Sequence, residues 1–584
     1  MAVENLITEH IDIWTSAVKT QSASGRGSNK KLELYGVKKL RELILELAVR
    51  GKLVPQDPND EPASVLLERI AAEKAKLVKE KIIRESKSLP VVSRKEQPFV
   101  LPKGWVWERL GNVGIGATGK TPSTKQPIFF EGSIPFIGPG QINQNGEILA
   151  PEKFLSCDGL LNSTEAIEGD ILMVCIGGSI GKTAIARQTV GFNQQINAIR
   201  ALQMPSAYLY TSLSTDSFLQ ELLKKATGSA TPIINRRKWE ELLVPIAPLD
   251  EQHRIVAKVD ELMALCDQLE QQTEASIEAH QVLVTTLLDT LTNSADANEL
   301  MQNWTRISEH FDTLFTTEES IDQLKQTILQ LAVMGKLVPQ DPNDEPAAKL
   351  LKRIAEEKAQ LVKEKKIKKE KALPPISEDE KPFELPSGWE WCRFGSLFKS
   401  FSNGLYKPAK FYTDAGVISL RMYNIQDGKI DFEGAKRVEV EPNELEQFLL
   451  EKGDLLINRV NSKELVGKTA IIPQLDEPLV YESMNMRAKP FTNYLSAEYL
   501  NLFMMTALAQ QSISSFAKEA IGQASINQGQ VSSMAIPLPT FNEQKRIVLK
   551  INELLVICEE LKARLKESQT TQLLLTDAIV EQAV

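Results

Sequence analysis

The chain has 584 residues, too many for one ordinary core, and is expected to divide into about three to five structural units. Its composition, 42% hydrophobic and 25% charged, is that of an ordinary globular protein. The net charge of −9 does not mark a nucleic-acid binder, so any DNA contact needs basic groups focused on one surface or supplied by partners. Five cysteines (Cys157, Cys175, Cys266, Cys392, Cys558) and four histidines (His10, His253, His280, His310) are scattered without metal-ligand spacing. That argues against structural zinc and a disulfide framework, and fits a reducing cytoplasm. The start, Met1-Ala2-Val3-Glu4, carries no signal-peptide pattern, and no run of 18 apolar residues suggests a membrane span.

From Leu32 to Val49 apolar residues fall at helical spacing, with Gly51 as the expected stop. Pro55, Pro58 and Pro62 predict a rigid loop, after which Ser64 is the expected cap of a helix reaching about Ser86. The Lys/Glu face of that helix reads as solvated, with phosphate contact as the alternative. From 98 to 248 short apolar runs (Ile134–Ile137, Asp170–Val174) alternate with Gly, Asn, Ser and Pro, which predicts a mainly β domain with long loops. Tyr208–Ala226 reads as helix. A 3/4 apolar pattern then runs from Glu251 to about Leu291. The same texture returns over 382–540, and the same long helix over 541–584. Two such seams are expected to pack as a coiled-coil-like pair. Runs of about 40 residues would be about 60 Å long, against about 34–36 Å between DNA half-sites one turn apart. The pair is therefore long enough to act as a ruler, the alternative being a plain dimerisation coiled coil.

The chain is written twice. Gly51-Lys-Leu-Val-Pro-Gln-Asp-Pro-Asn-Asp-Glu-Pro62 recurs letter for letter at Gly335–Pro346, 284 residues on. The same offset relates "LPKGWVWERLG" at Trp105 to "LPSGWEWCRFG" at Trp389, and Gly169-Asp170 to Gly453-Asp454. Gly181-Lys-Thr-Ala184 matches Gly467-Lys-Thr-Ala470 at 286, and Glu251-Gln252 matches Glu543-Gln544 at 292. Two near-identical frames thus surround two dissimilar interiors. Either a duplicated fold has divergent loops, or one scaffold carries two recognition surfaces. The period is far too long for a solenoid.

Gly114–Thr121 (GIGATGKT) fits the phosphate-loop pattern G-x-x-x-x-G-K-T, in which backbone N–H groups cradle phosphates, Lys120 reaches them and Thr121 meets magnesium. Pro122 and Pro127 follow at once and leave no helix to complete the anion site. No N-P-P-F or D-P-P-Y loop suggests base methylation, and no carboxylate–lysine cluster suggests a nuclease. The chain by itself is therefore expected not to be an enzyme. Trp105, Trp107, Trp389 and Trp391 are expected in cores rather than as stacking platforms.

The repeated "LILELAVRGKLVPQDPNDEPA", then "LPKGWVWERLG", then "PLDEQHRIVAKVDEL" resemble the specificity subunits of type I restriction-modification enzymes, in the subgroup with an extended N-terminal region, over essentially the whole chain. The resemblance implies an α+β protein with a pseudo-twofold internal duplication. Two mainly β target recognition domains with long loops would be joined by two long antiparallel coiled-coil-like helices. The implied order is an N-terminal helical region (1–97), recognition domain 1 (98–248), a long helix (249–293), a helical repeat and linker (294–381), recognition domain 2 (382–540) and a final helix (541–584). Each domain would read one half of an asymmetric bipartite site on double-stranded DNA. The helices would dock two methyltransferase subunits, and two motor-endonuclease subunits would complete the enzyme. S-adenosylmethionine, ATP and magnesium would sit on those partners, with none on this chain. Gly119–Pro122 then reads as the family's G-x-T-P-like turn.

Base readout needs Arg or Lys for guanine and Asn or Gln for adenine. In the first domain the loops offer Lys120, Thr121, Gln141, Asn143, Asn145, Gln194, Gln195, Asn197, Asn235, Arg236 and Arg237. The second offers Asn403, Lys407, Arg421, Tyr423, Asn424, Arg459, Asn461, Lys463, Gln523 and Asn527. Any one of these also suits a turn-forming role; the set as a whole is the candidate DNA surface.

Overall fold

The computed structural model describes residues 3–21, 31–85, 87–228, 231–295, 297–520 and 522–584. The chain divides into two units, residues 1–276 with 568–584, and residues 277–567.

In the first unit, α1 (Tyr35–Val49) buries Val37, Leu40, Leu43, Ile44 and Leu47, as the 3/4 spacing requires. Leu32 is not part of it: Lys31–Glu33 pairs with Lys19–Gln21 in a short hairpin, and the helix begins at Tyr35. Gly51 ends the helix with φ +65°, and a Cβ there would stand 2.5 Å from Pro102 Cγ, so only glycine fits. The next helix, α2 (Ala63–Lys79), departs from expectation at both ends. Pro62 stands at its N-cap, with Ser64 already in the first turn, and Lys81 leaves the helical region with φ +59°. Ser86 lies outside the described residues. Leu66 and Ile70 of α2 join the core of the β domain that follows, and its Lys74 Nζ donates to the carbonyls of Gly111 and Gly114.

The β domain that follows holds β1 (Gly114–Thr118), β2 (Ile134–Ile137), β3 (Ile171–Val174), β4 (Thr183–Ile185), β5 (Val190–Phe192) and β6 (Ile196–Ala201). One antiparallel sheet has the order β1-β6-β3-β4; β2 and β5 pair in parallel at the centre of a second. All four residues of β3 are buried, which is why it reads as a continuous apolar run. The single helix expected over Tyr208–Ala226 is two, Ser206–Leu213 and Asp216–Lys225, because the Thr215 hydroxyl accepts from Phe218 N and starts a new helix. Trp105 and Trp107 are buried. The domain hands over to α3 (Leu249–Asn293).

The second unit repeats this plan with α4 (Glu318–Val333) and α5 (Ala347–Lys363). Its sheets are built from β7 (Phe398–Asn403), β8 (Val417–Leu420), β9 (Leu455–Asn458), β10 (Thr469–Ile471), β11 (Leu479–Tyr481) and β12 (Asn485–Pro490). The antiparallel order is β7-β12-β9-β10, and β8 pairs with β11 in parallel. Trp389 is buried and Trp391 half-buried. A small extra sheet joins Val460–Asn461 with Gln523–Ser525 and Lys518–Ala520, and among the described residues its counterpart in the first domain is a set of isolated bridges at Ile176, Thr227 and Ile233. The chain closes with α6 (Phe541–Ala583).

Each long helix contributes to both units. Inside the second unit, contacts advance together along α3 and α4 (Gln281–Glu319, Thr285–Gln323) and in opposite senses along α4 and α6 (Asp322–Lys562, Lys325–Glu559). There α3 and α6 run antiparallel, with Val284, Leu288 and Leu291 in one core with Ile547, Ile551 and Cys558. In the first unit, α1 is tied to α3 by Arg41, which reaches Asp267 and Glu270 at 2.7 Å each. It is tied to α6 by Tyr35, whose hydroxyl donates to Asp577 at 2.7 Å.

The repeated letters build the same joint twice. Glu251 accepts from Trp105 Nε1 (2.9 Å) and Gln56 Nε2 (2.5 Å); Glu543 accepts from Trp389 Nε1 (2.8 Å) and Gln340 Nε2 (3.1 Å). Burial raises both carboxyls above the ordinary range while these donors pull the other way. Asp60 pairs with Arg254 at 2.5 Å, and Asp344 with Arg546 at 2.8 Å. Gln252 Nε2 donates to Ala247 O, and Gln544 Nε2 to Pro539 O. Lys52 Nζ donates to the carbonyls of Ala583, the last residue of α6, and of Val584 beyond it, and Lys336 Nζ to those of Thr292 near the end of α3 and of Ser294 just past it. Those carbonyls have no partner within their own helix. The twelve-letter repeat is thus a clamp of loop, β domain and long helix.

Candidate nucleic-acid interface

The strand order places the C-terminal ends of β1 and β3 and the starts of β4 and β6 on one edge of the first antiparallel sheet. The parallel pair ends there too, since Asn193 N donates to Ile137 O at 3.0 Å and Lys120 N to Phe192 O at 2.9 Å. Loops 119–121, 138–141, 175–182 and 193–195 therefore share one edge. The loop leading to Asn235 joins it, because Gly177 N donates to Pro232 O and Ile234 N to Cys175 O. Here Thr121 Oγ1 donates to Gln194 Oε1 at 2.7 Å, and Lys120 and Asn145 are exposed.

Several of the first domain's candidates hold the edge in shape. Gln141 Oε1 accepts from Gly138 N (3.0 Å), Asn143 Oδ1 from the backbone N of Asn145 and Glu147, and Asn235 caps the helix Arg236–Glu240. Asn193 bonds to Gln195 by side chain and backbone. Arg236 lies beside Glu240 (3.3 Å), and Arg237 straps the carbonyls of Lys87 and Ser88 at 2.8 Å each. Asn197 must be withdrawn from the surface. It is 2% exposed, and its amide is used by Thr118 Oγ1 and Cys175 Sγ.

The second domain presents the equivalent edge with different chemistry. Asn403 Oδ1 accepts from Gln528 Nε2 (3.0 Å), Arg459 Nη1 donates to Ser483 O (3.2 Å) and Asn461 Nδ2 to Asn458 Oδ1 (2.8 Å). Lys463 pairs with Glu519 at 2.6 Å, Arg421 stands 3.6 Å from Glu482, and Lys468 donates to Gln426 (3.3 Å). Gln523 is exposed on the added hairpin, and Asn527 caps the helix Gln528–Ser533. Tyr423 is exposed, its hydroxyl donating to Gly434 O. Lys407 is drawn to Glu444 at 2.7 Å, where its ammonium holds that carboxyl below the ordinary range. Asn424 is withdrawn from the surface like Asn197, being fully buried and donating to Asp431 O.

The phosphate-loop alternative fails on geometry. Gly114–Thr118 is an extended strand registered against Asn197–Ala201, and no helix follows Lys120 before the single 3-10 turn at Pro127–Phe130. Backbone in a strand ladder cannot wrap a phosphate.

The family model of the type I restriction modification DNA specificity domain matches residues 102–279 and 386–568, once in each copy. The chain belongs to that family. Among relatives of this specificity family, the type I restriction enzyme EcoAI specificity subunit of Escherichia coli is 45% identical, with all of both chains covered. The EcoEI specificity subunit of the same organism is 43% identical over the full length of both. A solved chain from work on the complex assembly and conformational transition of the type I R-M system superposes with a TM-score of 0.51. It is 18% identical and covers 83% of this chain and 99% of that one. Among the described residues no helix is long and apolar enough to cross a membrane.

Sequence reasoning passed over Glu482, Gln426, Lys468 and Gln528, all on the second edge. Lys468 had a signal: it sits in the repeated Gly-Lys-Thr-Ala and was read as frame, although Lys182 and Lys468 both lie in loops of the edge.

Proposed function

We propose that this chain supplies the DNA sequence specificity of a type I restriction-modification enzyme and carries no catalytic site of its own. Each recognition domain reads one half of an asymmetric bipartite site on double-stranded DNA. One observation carries this reading: two matching frames present equivalent sheet edges with unlike side chains, Thr121 with Gln194 and Asn193 with Gln195 in the first, Arg421 with Glu482 and Lys463 with Glu519 in the second. Two readers of different sequence on one scaffold need that arrangement. Both domains are close to neutral, so phosphate neutralisation contributes little and partners must supply more of the affinity. The 45-residue α3, about 68 Å long at 1.5 Å per residue, has the length to fix half-site spacing.

The long helices also carry the docking surface for two methyltransferase subunits. Apolar side chains stand exposed at positions 292 residues apart: Val282 and Leu574 at 62% and 65%, Leu283 and Leu575 at 49% and 46%, and Leu265 and Ile557 likewise. The same exposed pattern on both copies suits one kind of partner bound twice. S-adenosylmethionine belongs to those subunits, and ATP with magnesium to two motor-endonuclease subunits. The complex works in the cytoplasm.

Mapping methyladenine across the genome with and without this chain, its methyltransferase partner present in both, tests the reading. A two-part asymmetric motif lost with the chain supports it. An unchanged methylation pattern would leave a scaffold that reads no DNA.

A further inference from the structure

The two edges contain one turn in two versions. After β2, Gly138–Gln141 is closed by Gly138 N donating to Gln141 Oε1 at 3.0 Å; after β8, Arg421–Asn424 is closed by Arg421 N donating to Asn424 Oδ1 at 2.9 Å. Each preceding strand is held by an equivalent bond, Asn193 N to Ile137 O and Glu482 N to Leu420 O, both 3.0 Å. The frame is the same, and the cap uses backbone N of the first residue, whatever its side chain. The side chains that the turn presents are not the same. The first domain has Gly138-Pro139-Gly140 and the second Arg421-Met422-Tyr423, with Met422 and Tyr423 exposed. The neighbour changes with it, from Asn193 to Glu482.

We propose that Arg421 is a specificity-determining residue that reads a guanine in the half-site of the second domain, with Met422 and Tyr423 flanking the contact. This rests on the reading of the chain as a DNA specificity subunit. Three features of Arg421 bear on this, although Arg459 shares the unpartnered Nε and Lys407 also lies over a ring. Its guanidinium lies over the Tyr412 ring, 4.5 Å from the centroid, which fixes its plane. Its Nε is buried without a hydrogen-bond partner, and the nearest carboxylate, Glu482, stands 3.6 Å away. Lys463 and Lys407, by contrast, sit in close ion pairs at 2.6 and 2.7 Å. A planar fork of donors held in one orientation matches guanine O6 and N7, and is the commonest specific contact in the major groove. Glu482 offsets the charge, so the site favours a base edge over any passing phosphate. In the first domain the same turn carries no side chain beyond Pro139, so that half-site must be read by neighbours such as Gln194 and Thr121.

The test uses the full chain with its methyltransferase partner in cells, comparing wild type, Arg421→Lys and Arg421→Ala by methyladenine mapping. The expected result is a two-part motif whose first half is unchanged and whose second half becomes degenerate at one guanine. Methylation of the wild-type site should fall at least tenfold, with the lysine variant unable to restore the choice of base. Unchanged thermal unfolding of the purified variants shows that the turn persists. An unaltered motif, a uniform fall in methylation with the motif intact, or a variant that unfolds would each overturn the proposal. Absence of any bipartite motif for wild type would instead sink the specificity reading beneath it.

Discussion

The two joints and the two recognition edges make opposite use of the duplication. At the joints the letters repeat and so does the geometry, down to a tryptophan and a glutamine donating to one buried glutamate in each copy. At the edges the backbone frame repeats while the side chains diverge, from Thr121 with Gln194 to Arg421 with Glu482 and Lys463 with Glu519. Repetition therefore marks what holds the molecule, and divergence falls on the edges proposed to read DNA. Conservative residues of the same chemical type sort into the two classes by burial: Asn197 and Asn424 are structural amides, whereas Asn145 and Gln523 face solvent.

The largest expected effect is at the joint. Glu251→Ala leaves the Trp105 indole N–H and the Gln56 amide without their buried acceptor and should destabilise the first unit by about 3 kcal/mol. Glu543→Ala should do the same to the second unit. Denaturant unfolding of each variant measures it, and a large difference between the two would break the equivalence of the joints.

Next come two buried aspartates that the sequence aligns but the structure treats differently. Asp170 is clasped by Arg200 through two bonds of 2.8 Å, so Arg200→Ala removes two charge-assisted bonds from a buried carboxylate and, with Arg200 partly solvated, should cost about 1–2 kcal/mol. In the second domain Arg487 turns instead to the carbonyl of Leu449 at 2.5 Å, and burial pushes the Asp454 carboxyl up to about 6 from 3.8. The folded state then binds this proton more tightly than the unfolded state. Below about pH 4 the group is protonated in both and has no effect. Stability falls as pH rises from about 4 to 6, and the full penalty of up to roughly 3 kcal/mol stands above that. Asp454→Asn should therefore stabilise the second unit at pH 8 and flatten its profile between pH 4 and 6. A variant less stable than wild type at pH 8 would contradict this.

Gly51→Ala comes after these. Its φ of +65° and the 2.5 Å approach of Pro102 predict a loss of about 1–3 kcal/mol, seen as a lower thermal midpoint. The smallest effects on stability belong to the edges. Thr121→Val and Lys463→Ala should leave it nearly unchanged, since both side chains lie in solvent-accessible pairs. Each should weaken DNA binding a few-fold through its own domain alone, as competition binding with half-site variants would show.

Much of this architecture was legible in the sequence because it rests on periodicity. The 3/4 seams of α3 and α6, the apolar run of β3 and the twelve-letter repeat all survive in the structure within a few residues. What the sequence hid depended on tertiary partners. Gly114–Thr121 spells a phosphate loop, yet pairing with Asn197–Ala201 makes it a strand. The helix expected through Tyr208–Ala226 is broken by a hydroxyl cap at Thr215, a local competition that pattern alone does not reveal. The sequence picked out a set of polar loop residues as the candidate interface but did not separate their structural roles. Whether Gln141 or Asn143 points outward or closes its own turn is decided by backbone geometry.

The most direct test of the division between holding and reading is domain exchange. Residues 98–248 would be replaced by the corresponding segment of the EcoAI relative, leaving both joints intact, and methyladenine mapped in cells that supply the methyltransferase partner. The expected result is a new first half-motif, an unchanged second half-motif and the same spacing between them. A motif unchanged in both halves, or altered in both, would contradict it.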